Sequence, residues 1–201
     1  AERLSAEFPQ LEYAFSNIEE EDFASGISQA TGDAKIIALL PLNDHPKVRS
    51  ALEETFREIT AKEGTKVVLD LDIASPHNEL FGEENAEGLS DHFLYGISPK
   101  KVIRTSSRDP QLKILNAGTF TPQAAEIYLD PGWNQLIGWS ASQADGPVVI
   151  LGPPLERFSE LAALEKADQV LVFTDPLDSE TQGKLPDLVQ KLSNRSSPQS
   201  S

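Results

Sequence analysis

The stretch IIALLPLNDHPKVRSALEETF, Ile36–Phe56, joins a continuous apolar run to a segment with helical periodicity. Its apolar residues, from Val48 onward to Ile59, recur every three or four positions. In α/β proteins, the loop between such a strand and helix often binds phosphate through backbone N–H groups, and glycines allow the close approach. Here the loop contains Pro41 and Pro46 but no glycine. The stretch therefore predicts an α/β unit whose strand-to-helix junction differs from an ordinary phosphate loop.

Other apolar runs extend this unit into a sheet. None of them alternates polar with apolar residues, which is typical of parallel strands covered on both faces. Strands alternating with helical segments predict the α/β class, a three-layer sandwich with a mainly parallel central sheet. The further strands are predicted at Val67–Leu71, Leu112–Leu115, Val148–Leu151 and Val170–Phe173, and a late helical stripe at Leu185–Leu192.

Length and local composition predict one domain with two extensions. A chain of 201 residues with 39% apolar content can bury a single core, and we place it at residues 34–192. Residues 1–33 are predicted to be an acidic helical lead-in and linker, because acids fill every position from Glu19 to Asp22. Residues 193–201, SNRSSPQSS, lack apolar side chains to bury and are predicted to be a disordered tail.

Charge and residue usage exclude several classes of function. The net charge of -15 opposes nonspecific binding to nucleic acid or to an anionic membrane. The absence of cysteine excludes disulfides and thiolate metal sites. No apolar run is long enough to cross a bilayer, so we expect a cytoplasmic protein, held at the inner membrane only through a partner or a missing segment of a parent chain. Since the sequence has no methionine, either an initiator was removed or the chain is part of a longer protein.

Four motifs then suggest a family. In chain order they are EGTKVVLDLDIASPHNELFGEENAEGLSDHF, LKILNAGTFTPQAAEIYLDPGWNQLI, VVILGPPL and ADQVLVFTDPLDSETQGKL. Their order and spacing resemble the deviant Walker A ATPases of cell division and plasmid partition, and especially the bacterial tyrosine kinases of capsule and exopolysaccharide export. The likeness covers Ala34 to Leu192 and implies a P-loop NTPase-like fold with a nucleotide site after the first strand of the domain.

The resemblance also shows where the nucleotide site departs from the family pattern. Arg49 stands at the lysine position and Ser50 at the magnesium-binding hydroxyl. Val48 replaces the last glycine, and Pro46 removes an N–H that would face the phosphates. An arginine fork is not equivalent to a compact ammonium in a tight cradle. Ordinary Mg-ATP binding is therefore not expected, and no cofactor is predicted.

The acidic positions complete a vestigial site, predicted at Arg49, Ser50, Asp70, Asp72 and Leu151. Asp70 and Asp72 match the Asp-x-Asp of the family, whereas Leu151 stands where an aspartate would organise magnesium. Two carboxylates alone make a weak Mg²⁺ site, so no metal is predicted. Asp72 is expected to cap a turn or a helix start, the alternative being a residual metal or water site. We further predict that Arg49 pairs with Asp70 or Asp72.

Other candidate residues are interpreted structurally. The tail lacks the tyrosine cluster of the kinase branch, so tail autophosphorylation is not supported. The histidines are too scattered for a local metal motif and are expected at surface or capping positions. The basic patch is read as a solvated loop rather than a contact for an acidic partner, and the tryptophans as core or interface anchors. The tyrosines of the chain are Tyr13, Tyr95 and Tyr128, and the histidines are His45, His77 and His92. The basic patch consists of Lys100, Lys101, Arg104 and Arg108, and the tryptophans are Trp133 and Trp139.

Together these features predict a catalytically inactive pseudo-ATPase or pseudokinase. It would act as a protein-interaction module in a bacterial polysaccharide export, secretion or cell-surface assembly, with a protein partner, no nucleic acid and no catalytic residues of its own. One alternative is an active nucleotide-binding ATPase or tyrosine kinase in which Arg49 replaces the lysine. Another is a structural homo-oligomer whose interface is the former nucleotide face.

Overall fold

The computed structural model describes residues 11–15, 31–81, 87–158 and 161–174. Its strands form one seven-stranded sheet in the order β1-β7-β2-β6-β3-β5-β4. All neighbouring pairs are parallel except β4 and β5. The strands are β1 Leu11–Phe15, β2 Ile36–Pro41, β3 Lys66–Asp70, β4 Arg104–Thr105, β5 Leu112–Leu115, β6 Val148–Leu151 and β7 Gln169–Thr174.

Helices cover both faces of this sheet, so the predicted three-layer α/β architecture is confirmed. One face packs on α1 and α2, and the other on α3, α5 and α6. The helices are α1 Pro46–Thr60, α2 Asn78–Phe81, α3 Leu89–Tyr95, α4 Pro99–Val102, α5 Ala124–Tyr128 and α6 Trp133–Ser142, with a 3-10 turn at Ala162–Lys166.

Helix α1 follows from the sequence pattern that predicted it. Pro46 occupies its first turn, where a missing N–H leaves no intrahelical bond unmade. Val48, Leu52 and Ile59 are each 0% exposed and face the sheet. Full burial of such side chains contributes about 1.5–3 kcal/mol each. The apolar face of α1 thus packs against the sheet, and this packing positions the first turn of the helix beside the end of β2.

The amino-terminal prediction is wrong at five residues. Within the segment predicted to be helical, Leu11–Phe15 forms strand β1, which pairs in parallel with β7. Apolar residues at Leu11, Tyr13 and Phe15 alternate with period two, a strand signal that the neighbouring acids obscured. The hydrogen-bonding edge of β7 decides the conformation here, since it offers partners that an isolated segment lacks. The acidic run, the late helical stripe and the tail lie outside the described residues.

Candidate functional site

The site predicted from sequence lies where the carboxyl ends of β2, β6 and β3 meet. Leu151, the last residue of β6, is in register with Leu39 on one side and with Asp70 on the other. Arg49 and Asp72 line the small cavity next to them. Ser50 is exposed on α1. Four of the five predicted residues are therefore brought together, at the edge of the sheet where ligands bind in open α/β folds.

The loop after β2 uses its own side chains to bind its backbone donors. Asn43 Oδ1 accepts from the His45 N–H at 3.1 Å, and His45 Nδ1 accepts from the Lys47 N–H at 3.3 Å. His45 is the N-cap of α1, which confirms the capping role predicted for it. Donors of this kind would face phosphate oxygens in an active loop. Here Asn43 and His45 bind them, and Pro46 has none to offer.

The loop after β6 closes over the loop after β2. The Leu155 N–H donates to the Pro41 carbonyl at 2.9 Å, and the Glu156 N–H donates to the Leu42 carbonyl at 3.0 Å. Arg157 forms an ion pair with Asp44. These contacts join the segment aligned with the family's metal-binding motif directly to the phosphate-loop position. No gap is left between the two loops at these contacts.

Val48 sits where the family pattern has a glycine. Its side chain is 0% exposed and packs into the core on the α1 face of the sheet. Among the described residues, no amino acid other than glycine has a positive φ. Valine is tolerated because this position lies inside the first turn of α1 rather than in a strained loop.

Asp70 is fully buried and bound by the segment that follows it. Its Oδ2 accepts from the His77 N–H at 2.7 Å, and its Oδ1 lies 2.9 Å from His77 Nδ1. The Asp72 N–H also donates to Oδ1, at 3.2 Å. His77 is only 4% exposed, so the surface or capping position predicted for it is wrong. The chain turns back over seven residues and so places this imidazole against Asp70. No local sequence pattern predicts this contact.

Asp72 caps the turn after β3, as predicted. Its Oδ1 accepts from the Ser75 N–H at 3.0 Å. Burial raises the pKa of Asp72 from its ordinary 3.8 to about 6, against the lowering influence of His77. Burial lowers the pKa of His77, but the adjacent Asp70 carboxylate, its hydrogen bond and Asp72 together raise it above 6.5. The two acids thus stabilise the protonated form of His77 relative to that of an ordinary histidine.

Arg49 does not pair with Asp70 or Asp72, so that prediction is wrong. Its Nε lies 3.6 Å from Glu53 Oε1, one turn along α1, and its Nη1 donates to Ser75 Oγ at 3.4 Å. The nearer acid on the same helix binds the guanidinium at the surface, while His77 already occupies both oxygens of Asp70. Because the buried His77 imidazole already hydrogen-bonds Asp70, the Arg49 side chain at the surface is not required as a partner for that carboxylate.

The space left at this junction is small. The cavity bounded by Pro41, Arg49, Leu52, Asp72 and His77 has about 10 Å³ open to water, which is room for about one water molecule. Leu151, at the end of β6, is 0% exposed. Within the described ranges, no group of three or more histidine, aspartate or glutamate side chains is placed to hold a metal ion. None of the described helices is long and apolar enough to span a bilayer.

The remaining candidates do not line this cavity. Trp133 is a core residue whose indole N–H donates to the Ile127 carbonyl at 2.6 Å. Tyr128 is also buried, donates to the Leu71 carbonyl at 2.8 Å, and has its pKa raised by burial. Tyr95, by contrast, is 71% exposed. The side chain of Tyr13 is outside what the structure describes.

Comparison with solved structures places this fold among tyrosine kinase domains and ATP-binding enzymes. The kinase domain of the Escherichia coli tyrosine kinase ETK superposes with a TM-score of 0.70 at 17% identity, over 85% of this chain and 68% of that one. The VpsO kinase domain gives 0.65 at 17% identity, over 89% and 93%. A cobyrinic acid a,c-diamide synthase from Mycobacterium smegmatis, solved with an ATP analogue and magnesium, gives 0.60 at 16% identity, over 82% and 68%.

Scans against protein-family models and against curated proteins find no match. The structural likeness confirms, at the level of fold, the predicted resemblance to the deviant Walker A ATPases and their tyrosine kinase branch. At these identities it establishes the fold alone.

Proposed function

We propose that this chain is a catalytically inactive pseudo-ATPase, a deviant Walker A fold that serves as a protein-interaction module. The observation that carries the proposal is the loop after β2, whose His45 and Lys47 N–H groups are bound by side chains of the loop itself. A phosphate would have to displace both hydrogen bonds. It would also have to open a cavity with room for about one water.

The charges around the cavity support the same proposal. Asp44, Asp70 and Asp72 lie near the position of the phosphates, and the aspartate that would organise magnesium is replaced by buried Leu151. Without a bound cation these carboxylates repel a polyphosphate. The arginines near the cavity are already engaged, Arg49 with Glu53 and Ser75 and Arg157 with Asp44. Charge complementarity to Mg-ATP is therefore poor.

The cellular setting of the proposal comes from the resemblance. Kinase domains with this fold include ETK and VpsO, and the sequence motifs resemble the capsule and exopolysaccharide branch. We therefore place the module in a bacterial polysaccharide export, secretion or cell-surface assembly, where it would bind a protein component in one permanent state. Association with its partner would then be indifferent to nucleotide.

The competing function is an active ATPase or kinase in which Arg49 replaces the lysine. Its support is that the Arg49 side chain remains 42% exposed beside the cavity. Isothermal titration calorimetry with Mg-ATP and Mg-ADP separates the two. We expect no saturable heat, for the wild type and for Arg49→Ala alike. Saturable micromolar binding that is lost in Arg49→Ala but kept in Arg57→Ala, a control on the same helix, would establish the active alternative instead.

A restoration experiment tests whether family residues at three positions are enough to restore ATP hydrolysis. The triple variant Val48→Gly, Arg49→Lys, Leu151→Asp should remain without ATP hydrolysis or should unfold, because the loops are bound to each other at several other points. Hydrolysis is measured by phosphate release, with circular dichroism to report folding. A folded triple variant that releases phosphate would mean that the three positions alone separate this chain from an active enzyme.

A further inference from the structure

The strongest unassigned surface is at the opposite edge of the sheet from β1. Four basic side chains lie on α4, on β4 and in the turn after it, at Lys100, Lys101, Arg104 and Arg108, and all four residues are exposed. No acid occurs between Lys100 and Arg108, in a chain whose net charge is -15. We call this surface the basic edge. Its charge is opposite to that of the molecule as a whole.

The part of the chain that the structure describes offers these cations no partner. Within the described residues, none of the four side chains takes part in an ion pair or hydrogen bond. Other basic residues of this half of the sheet are bound: Lys66 lies 3.6 Å from Asp109, and Lys113 donates to the Gln143 carbonyl at 3.1 Å. An edge strand often carries a cation that discourages pairing with other chains. Within the described residues, four cations in nine positions have no acidic partner, which is more than the protection of an edge strand needs.

Two further features give the basic edge the character of a binding surface. Tyr95 ends α3 just before the segment and is 71% exposed, and an exposed tyrosine supplies contact area at low entropic cost. Strand β4 is the last strand of the sheet and pairs on one side only, through Arg104 with Ile114 and Thr105 with Lys113. Its outer backbone groups can pair with an added extended segment.

We propose that the basic edge binds an acidic, extended segment of a partner protein. The partner's carboxylates would lie against Lys100, Lys101, Arg104 and Arg108, its backbone along β4, and an apolar side chain on Tyr95. A short peptide is favoured over nucleic acid or an anionic bilayer because the remaining surface, with its excess of acids, repels a long polyanion. This surface is distinct from the vestigial nucleotide site, so the inference does not depend on the proposed loss of ATP binding.

Fluorescence anisotropy at low ionic strength tests the proposal. The probe is a fluorescein-labelled peptide of alternating glutamate and valine with one central phenylalanine, and its matched control has glutamine in place of every glutamate. We expect saturable binding of the acidic peptide only. Binding should weaken at least about tenfold in the variant Lys100→Glu/Arg104→Glu, and about threefold in Tyr95→Ala.

The control variant is Lys35→Glu/Lys166→Glu, which makes the same change in net charge at exposed positions outside the basic edge. It should bind the peptide within about twofold of the wild type. Absence of saturable binding, or an equal loss in the control variant, overturns the proposal. So does tighter binding to a DNA duplex or to phosphatidylserine vesicles than to the peptide. Self-association of the wild type that is abolished by Lys100→Glu/Arg104→Glu would assign the surface to a second copy of this chain and overturn it as well.

Discussion

The loops after β2 and β3 flank the end of β6 and face the same small cavity, yet they differ in how deeply their polar and charged groups are buried. The loop after β2 is largely exposed and satisfies its backbone with Asn43 and His45. The loop after β3 keeps Asp70 and Asp72 buried, at 0% and 3% exposure, with His77 between them. Backbone N–H groups of an exposed loop can be satisfied by neighbouring side chains, whereas a buried carboxylate is costly unless hydrogen-bond donors or a cation lie against it.

The largest expected effect comes from placing a carboxylate between the two loops. Leu151→Asp should lower the free energy of unfolding by roughly 3–5 kcal/mol, because the new charge is buried in register with Asp70 and has no cation. Urea unfolding followed by circular dichroism measures it. Leu151→Met, which keeps the volume, should cost less than about 1.5 kcal/mol. A Leu151→Asp variant as stable as the parent would show that the third motif is misaligned.

The next largest effect separates the two histidines of the loops. His77→Ala should cost roughly 3 kcal/mol, since it removes the imidazole from buried Asp70 and leaves that carboxylate only two backbone N–H donors. His45→Ala removes only an N-cap acceptor and should cost about 1 kcal/mol. Both are read from urea midpoints at constant slope. Equal losses of unfolding free energy would show that the buried contact of His77 with Asp70 contributes no more to stability than the surface cap at His45.

A pair of double-mutant cycles sharpens the same contrast. His77→Ala and Asp70→Asn should couple by roughly 1–3 kcal/mol, because each side chain binds the other. Arg49→Ala and Asp70→Asn should be additive within about 0.5 kcal/mol, since Arg49 is bound to Glu53 and Ser75 instead. Strong coupling in the second cycle would restore the Arg49–Asp70 pair that the sequence suggested.

The loop after β3 should also make stability depend on pH. The pKa of Asp72 is raised to about 6 in the folded state, so the fold favours its protonated form, and this contribution is lost as pH rises from 3.8 through about 6. The pKa of His77 is raised above 6.5, so its contribution is complete below pH 6.5 and is lost at higher pH. Both shifts make the folded state bind more protons than the unfolded state, so stability falls as pH rises.

Urea unfolding between about pH 5 and about pH 8 checks this dependence. His77→Gln should flatten the upper part of the profile and Asp72→Asn the lower part. A wild-type profile that rises with pH over this range would contradict the assigned directions of both shifts.

The smallest expected effect is at the surface contact between the loops after β2 and β6. The side chains of Asp44 and Arg157 are 46% and 50% exposed. Asp44→Ala should therefore cost no more than about 1 kcal/mol, and less at high salt, because exposed ion pairs are weak and screened. A larger loss in the same urea assay would show that this pair, rather than the backbone contacts of Pro41 and Leu42, holds the two loops together.

Much of the fold could be predicted from local pattern. Apolar runs predicted β2, β3, β6 and β7, a short segment at Leu112–Leu115 predicted β5, and helical spacing predicted α1. Burial on both faces of a strand, or along one face of a helix, leaves such a pattern in the sequence. Strand β1 was missed because its five residues lie among acids and depend on the edge of β7. The two-residue strand β4 is too short to leave a pattern.

The candidate site divides in the same way. The sequence by itself determined that the loop after β2 contains no glycine and that Asp72 can cap a turn, since these are properties of residue type at a position. Through the family resemblance it also predicted that Leu151 stands at the position of an aspartate. Only the tertiary structure decided the partners: Asp70 binds His77 rather than Arg49, and Asn43 and His45 bind the loop's own N–H groups. Partner choice depends on distance and desolvation, and both arise only when separate segments of the chain pack together.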